Sequence, residues 1–232
     1  MDNSFFSFMT DQAHAFLFAG QSTPWAAALN DVKNNEEVME QLKKYDSSSQ
    51  TLLQPVATDL LTIYGHRLDL FSYASSSLVL GQAKYAEASV PGVVLAQLAA
   101  LLDSRALGMP FDAHTFVSYA GHSQGLLSID AVKVLVEQAG GRISQDQADD
   151  QIAAILAIAR LIGAAGSKVS QENGIVPGNQ SSPMLAVKGA TSRQLQVLIS
   201  RIPQTKGELT IGVKNSRDNY VVSGYPQDLA KL

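Results

Sequence analysis

Cysteine is absent from this 232-residue chain. That excludes disulfides, thiolate metal sites and a cysteine nucleophile, and it fits a cytoplasmic setting. Charge is scarce too. Asp, Glu, Lys and Arg together make 16% of residues, against about 25% in an average soluble chain. Ala, Ser and Gln fill much of the gap, which suggests that part of this surface is covered by something outside the chain. With 17 basic and 21 acidic residues the formal charge is −4. No basic run occurs, so nucleic acid is a poor partner. No unbroken apolar run approaches the ~18 residues of a membrane span, and Met1–Ser7 has neither the basic nor the apolar region of a signal peptide. No membrane segment is therefore expected. What the chain does have is 46% apolar residues, a globular composition, at the length of one large domain or one and a half.

The apolar run Ala15-Phe16-Leu17-Phe18-Ala19, stopped by Gly20, reads as a buried strand. Thr23 as cap and Pro24 at the first helical position open a helix near Trp25. Residues 34 to 102 read as helical throughout, with Leu52, Leu53, Val56, Leu60 and Ile63 on one face. A second apolar helix opens at Ser89, with Pro91 in its first turn. Thr115 to Ala120 is the second strand, rich in β-branched and aromatic residues. Leu126 to Ala139 and Asp146 to Val169 are helices. Glu172 to Pro183 is a loop dense in Gly, Asn, Pro and Ser. Beyond it come strand 184–187, a helix capped by Thr191, strands 209–213 and 220–222, and a helix from Tyr225 that the chain end cuts off. That β-α-β-β-α order is most of a split βαβ, ferredoxin-like unit.

Gly121-His122-Ser123-Gln124-Gly125 has the G-x-S-x-G form. Alone the pattern is weak. Here it follows a strand and opens a helix, the context in which a serine is held on a strained turn with its hydroxyl exposed. The two glycines are needed where strand and helix pass too closely for a Cβ. The backbone N–H of Gln124 would then sit at a helix N-terminus, facing a developing oxyanion. A second donor must come from another loop. In a parallel sheet the loops after strands gather on one edge, so the N–H of Gln21 is the candidate. Of the four histidines, His122 precedes the nucleophile and is directed away from its hydroxyl, which suits a structural or substrate-side contact better than a base. His14 lies at the wrong sheet edge. His66 and His114 have no motif around them, and no pair has metal-ligand spacing.

These residues resemble a known family. Phe18-Ala19-Gly20-Gln21 with Pro24-Trp25, the Gly121–Gly125 pentapeptide, Ser182-Pro183-Met184-Leu185, and Asn215 with Val221-Val222-Ser223-Gly224 stand in the order seen in acyltransferases that load CoA thioesters onto acyl carrier protein. Gln124 after the serine and the last two segments look most like the acetyl (starter) transferase domain of bacterial and fungal type I fatty acid synthases. Malonyl transferases of the superfamily more often carry an aliphatic residue there. The resemblance runs from about Phe16 to Leu232.

The resemblance implies an α/β fold, with an α/β-hydrolase-like core and an inserted ferredoxin-like subdomain. Residues 1–181 would be an incomplete core and 182–232 an incomplete subdomain. It also implies ping-pong transfer through a Ser123 ester, with oxyanion contacts from Gln21 and Gln124 and substrate contacts from His122 and Asn215. The substrate is a CoA thioester, the carrier protein supplies phosphopantetheine, and no metal or redox cofactor is bound. The partners implied are the acyl carrier protein domain and other synthase domains in a homo-oligomeric megacomplex.

Two features depart from the family. Ser22 stands where a Gly is usual. The family's catalytic histidine follows the ferredoxin-like unit, and this chain ends inside it, so the reading is of an N-terminal fragment whose base lies beyond Leu232. Malonyl-using relatives hold the substrate carboxylate with an arginine. Arg160 is the candidate on the matching stretch: buried and facing Ser123 it would favour malonyl, and pointing outward it would favour acetyl. The rival readings are a serine hydrolase or thioesterase using the same elbow, and a non-enzymatic scaffold.

Overall fold

The computed structural model describes residues 14–20, 24–75, 86–111, 116–173, 183–205 and 207–232. The chain divides into two units, residues 1–167 and residues 168–232, and it is of the mixed α/β class. The loop over which the sequence places its boundary, 174–182, lies outside the described residues.

In the first unit the apolar run forms β1 (His14–Phe18), which pairs in parallel with β2 (Phe116–Gly121). Parallel strands need a long crossover, and its described residues include five helices. These are α1 (Trp25–Asp31), α2 (Glu36–Leu52), α3 (Ala57–Tyr64), α4 (Leu70–Ser75) and α5 (Ala86–Ala106). Two more, α6 (Gly125–Ala139) and α7 (Gln145–Glu172), follow β2.

The expectation of unbroken helix over 34 to 102 is corrected by local chemistry. Pro55 lies in a short 3-10 turn, Gln54–Val56, between α2 and α3. Gly65, with φ of +71°, closes α3 in the left-handed conformation that terminates helices. Pro91 lies inside α5 rather than in its first turn, so one carbonyl of the preceding turn loses its helical donor. Pro24 is the residue before α1, not its first residue, and caps it without a side-chain bond. Thr23 falls outside the described residues.

The core of this unit is built on α5, which is apolar on all sides, as a buried helix is. Val93, Val94, Leu95, Leu98 and Ala99 are all fully buried. Gly92 lets α1 close onto α5: a Cβ there would stand 2.5 Å from Cδ2 of Trp25, whose indole is 1% exposed. Leu42 and Tyr45 of α2, Leu135 of α6, and Ile152 and Leu156 of α7 complete the cluster. Each such apolar side chain contributes about 1.5–3 kcal/mol by leaving water.

α7 qualifies the expectation about membranes. It is the one described helix long and apolar enough to cross a bilayer, by length and composition only, and half of that window is buried inside the protein. Its Arg160 is ion-paired with Asp46 of α2, and its Asp149 binds Lys44 at 2.5 Å and Gln41 at 2.9 Å. Those contacts are those of a core helix.

The second unit runs β3 (Met184–Lys188), α8 (Ser192–Arg201), β4 (Thr210–Lys214), β5 (Asn219–Ser223) and α9 (Pro226–Leu229). The strands form an antiparallel sheet in the order β3-β5-β4. Thr191 and Gln194 cap α8 reciprocally. Leu195, Ile199, Leu209, Tyr220, Val222 and Leu229 make a separate small core. α9 is a single turn that closes at Leu229, ahead of the last residue, rather than being cut off by the chain end.

Candidate active site

The parallel register places Phe18 opposite Gly121, so both strands deliver their C-terminal ends to one edge. The chain then turns sharply. The His122 N–H still donates to the Phe18 carbonyl at 3.0 Å, while the Gly125 N–H already donates to the His122 carbonyl at 3.0 Å. Between them Ser123 takes φ of +56°, and it is the only non-glycine residue at positive φ among the described residues. Such a backbone costs about 1–2 kcal/mol for an L-residue.

Three glycines make the turn possible. A Cβ at Gly121 would lie 2.6 Å from the Gly125 carbonyl oxygen, and one at Gly125 would lie 2.2 Å from that of Phe18. At Gly20 a Cβ would lie 2.8 Å from the His122 carbonyl oxygen and 3.1 Å from Cβ of Ser123. The loop after β1 therefore brushes the serine. Ser123 itself is exposed. Gln124 is the N-cap residue of α6, without a side-chain cap bond, and the N–H groups of Leu126 and Leu127 donate to the carbonyls of Ser123 and Gln124 at 3.1 and 3.0 Å.

The residues singled out from the sequence divide into three groups. Ser123, Gln124 and His122 meet in the elbow, and His122 is exposed. Gln21 lies outside the described residues, as do Ser22 and His114, although Gly20 brings the chain to the elbow directly before it. Arg160 is buried, at 4% exposure. Its Nη2 pairs with the Asp46 carboxylate and its Nη1 donates to the Leu68 carbonyl at 3.3 Å. Its partners among the described residues are on α2, on α3 and in the segment before α4. It is not turned outward. The Tyr64 hydroxyl donates to the Arg160 carbonyl at 3.0 Å, and burial pushes the Tyr64 phenol up to about 12. His66 stacks on Tyr73 and bonds its hydroxyl at 2.5 Å. Asn215 belongs to the second unit, in the turn between β4 and β5, where its N–H donates to Asn219 at 2.8 Å.

Sequence reasoning overlooked Gln97. This α5 side chain donates through Nε2 to the Ala19 carbonyl at 2.8 Å, pinning the peptide that leads into Gly20 and Gln21. Its Oε1, like that of Gln124, is buried without a partner among the described residues. The available signal was an amide in the middle of an otherwise apolar helix.

No family model and no curated protein matches this chain. Solved structures do. The malonyl CoA-acyl carrier protein transacylase from Coxiella burnetii aligns over 95% of this chain with a TM-score of 0.52 at 17% identity. The corresponding enzyme from Clostridium perfringens aligns over 95% with 0.48 at 20%. An acyl carrier protein S-malonyltransferase from Vibrio cholerae aligns over 94% with 0.48 at 16%. The likeness to the Coxiella structure shows a shared fold. The chain spans just over half the length of these proteins, at 56%, 56% and 57%.

Proposed function

We propose that this chain carries the nucleophile half of an acyl-CoA:acyl carrier protein S-acyltransferase. The observation that carries the reading is the strained, exposed Ser123 between Gly121 and Gly125, with Gly20 against it. In this reading the first unit is an α/β-hydrolase-like core and the second a ferredoxin-like subdomain. The Ser123 hydroxyl attacks the thioester carbonyl, and the N–H groups of Gln124 and Gln21 bind the oxyanion. The C–S bond breaks, and CoA leaves as the thiol, carrying away the serine's proton. The carrier's phosphopantetheine thiol then attacks the ester and restores the serine hydroxyl. The reaction calls for no bound metal or redox cofactor, and it belongs to cytoplasmic fatty acid synthesis.

For the acyl group we propose acetyl, within a type I synthase assembly. Gln124 after the serine supports this. The second reading, malonyl, is favoured by the malonyl transfer of the Coxiella burnetii enzyme that shares the fold. The test is intact-mass measurement of the chain after incubation with acetyl-CoA and malonyl-CoA in parallel. A gain of one acetyl group, lost in Ser123→Ala, supports acetyl transfer. A preferred malonyl adduct supports the second reading. Rapid release of free acid points to a hydrolase, and no adduct on folded protein even with imidazole supplied as an external base overturns the acyl-transfer reading.

A further inference from the structure

A cleft of about 310 Å³ opens beside α3, between the end of α2 and the segment before α4, with Arg160 of α7 in its wall. No residue of the elbow lines it. Its apolar side includes Leu53, Leu60 and Leu61. α3 buries none of its residues, and Leu61 is 53% exposed. Leu53 is buried and Leu60 half-buried, so Leu61 is the leucine that an apolar occupant of the cleft would cover.

The polar side holds two guanidinium groups and is incompletely satisfied. Arg160 is almost fully buried, yet its Nε has no partner among the described residues; a buried N–H of this kind is rare and calls for an acceptor. Asp46 neutralises Arg160, and its other oxygen accepts from Gln50 at 2.8 Å. Arg67 donates to Gln50 Oε1 at 2.8 and 3.2 Å and takes part in none of the ion pairs among the described residues. Asp46 and Asp69 lie in the adjoining groove with Arg67, so the site is not an open cation; what it offers a carboxylate is the unsatisfied Nε of Arg160 and the guanidinium fork of Arg67.

We propose that this cleft binds an alkyl carboxylate of medium chain length, with the carboxylate toward Arg67 and Arg160 and the chain along Leu53, Leu60 and Leu61. The volume is at the small end for ligand pockets, which fits a single short chain rather than a bulky cofactor. The assignment is independent of the acyl-transfer reading.

Isothermal titration of the whole chain with decanoate, kept below micelle formation, tests it. Saturable one-site binding is expected, with decanol at least tenfold weaker and acetate silent. Arg67→Ala should weaken decanoate about tenfold and leave decanol unchanged. Leu60→Trp should fill the cleft and abolish binding. Leu61→Asp, at an exposed position that folding does not depend on, should weaken decanoate at least tenfold even if Leu60→Trp fails to fold. Arg201→Ala, in the second unit, should change nothing. Equal affinity for decanoate and decanol, decanoate binding indifferent to Arg67→Ala and Leu61→Asp, or no binding at all would overturn the proposal.

Discussion

Gly125 and Phe18 touch backbone to backbone: a Cβ on the first residue of α6 would lie 2.2 Å from the carbonyl oxygen that ends β1. That carbonyl also accepts from the N–H of His122. One oxygen thus fixes how closely the helix behind the serine approaches the sheet. Gly125→Ala should force the two apart, at a cost typical of overpacking, about 1–3 kcal/mol. Urea denaturation would measure that loss, and the yield of acyl-enzyme should fall with it.

Strain at Ser123 should be visible as lost stability. Ser123 holds φ of +56°, which glycine adopts freely. Ser123→Gly is expected to raise the unfolding free energy by about 1 kcal/mol, the left-handed penalty less the entropy glycine adds to the unfolded chain. The same variant should form no acyl adduct. A Tm that falls instead of rising would mean that the backbone there is not strained.

The buried pair between Arg160 and Asp46 should behave as a unit. Arg160→Met strands the Asp46 carboxylate, and breaking a buried pair in this way costs about 3–5 kcal/mol. The double variant Asp46→Leu with Arg160→Met should recover most of that loss. Chemical denaturation of the four proteins of this cycle gives the coupling directly.

Acid should weaken the second unit through Asp228. The ammonium of Lys231, at 2.7 Å, and the N–H of Thr205, at 2.7 Å, hold its carboxyl down to about 2. A carboxyl with a lowered folded-state pKa stabilises above its unfolded value, near 3.9, and loses that contribution as pH falls toward 2. The unit's stability should therefore decline between about pH 4 and pH 2. Asp228→Asn should be less stable at neutral pH and should flatten that decline, as followed by circular dichroism.

The elbow was legible because its signal is local. A β-branched strand, a serine between two spaced glycines and a helical apolar period all lie within two dozen residues, and each requirement is steric. The capping box at Thr191 was readable for the same reason. The break between α2 and α3 was not, because Leu52, Leu53, Val56, Leu60 and Ile63 keep helical spacing straight across Pro55. Periodicity records only spacing, which a 3-10 turn does not interrupt, and here it does not mark a core face: Leu52 is exposed and α3 buries none of its residues. The pairing of Arg160 with Asp46 bridges 114 positions of sequence, and nothing near either residue marks the other. Gln97 was missed likewise, since its partner is a backbone carbonyl and carries no side-chain signature.

The contact of Trp25 with Gly92 has a practical consequence. The chain holds a single tryptophan, and it is sealed inside the first unit. Its emission is thus an optical reporter of that unit alone, red-shifting when α1 parts from α5 and blind to the melting of β3, β4 and β5. Fluorescence and far-ultraviolet dichroism recorded on one sample would separate the two halves of the molecule without any label.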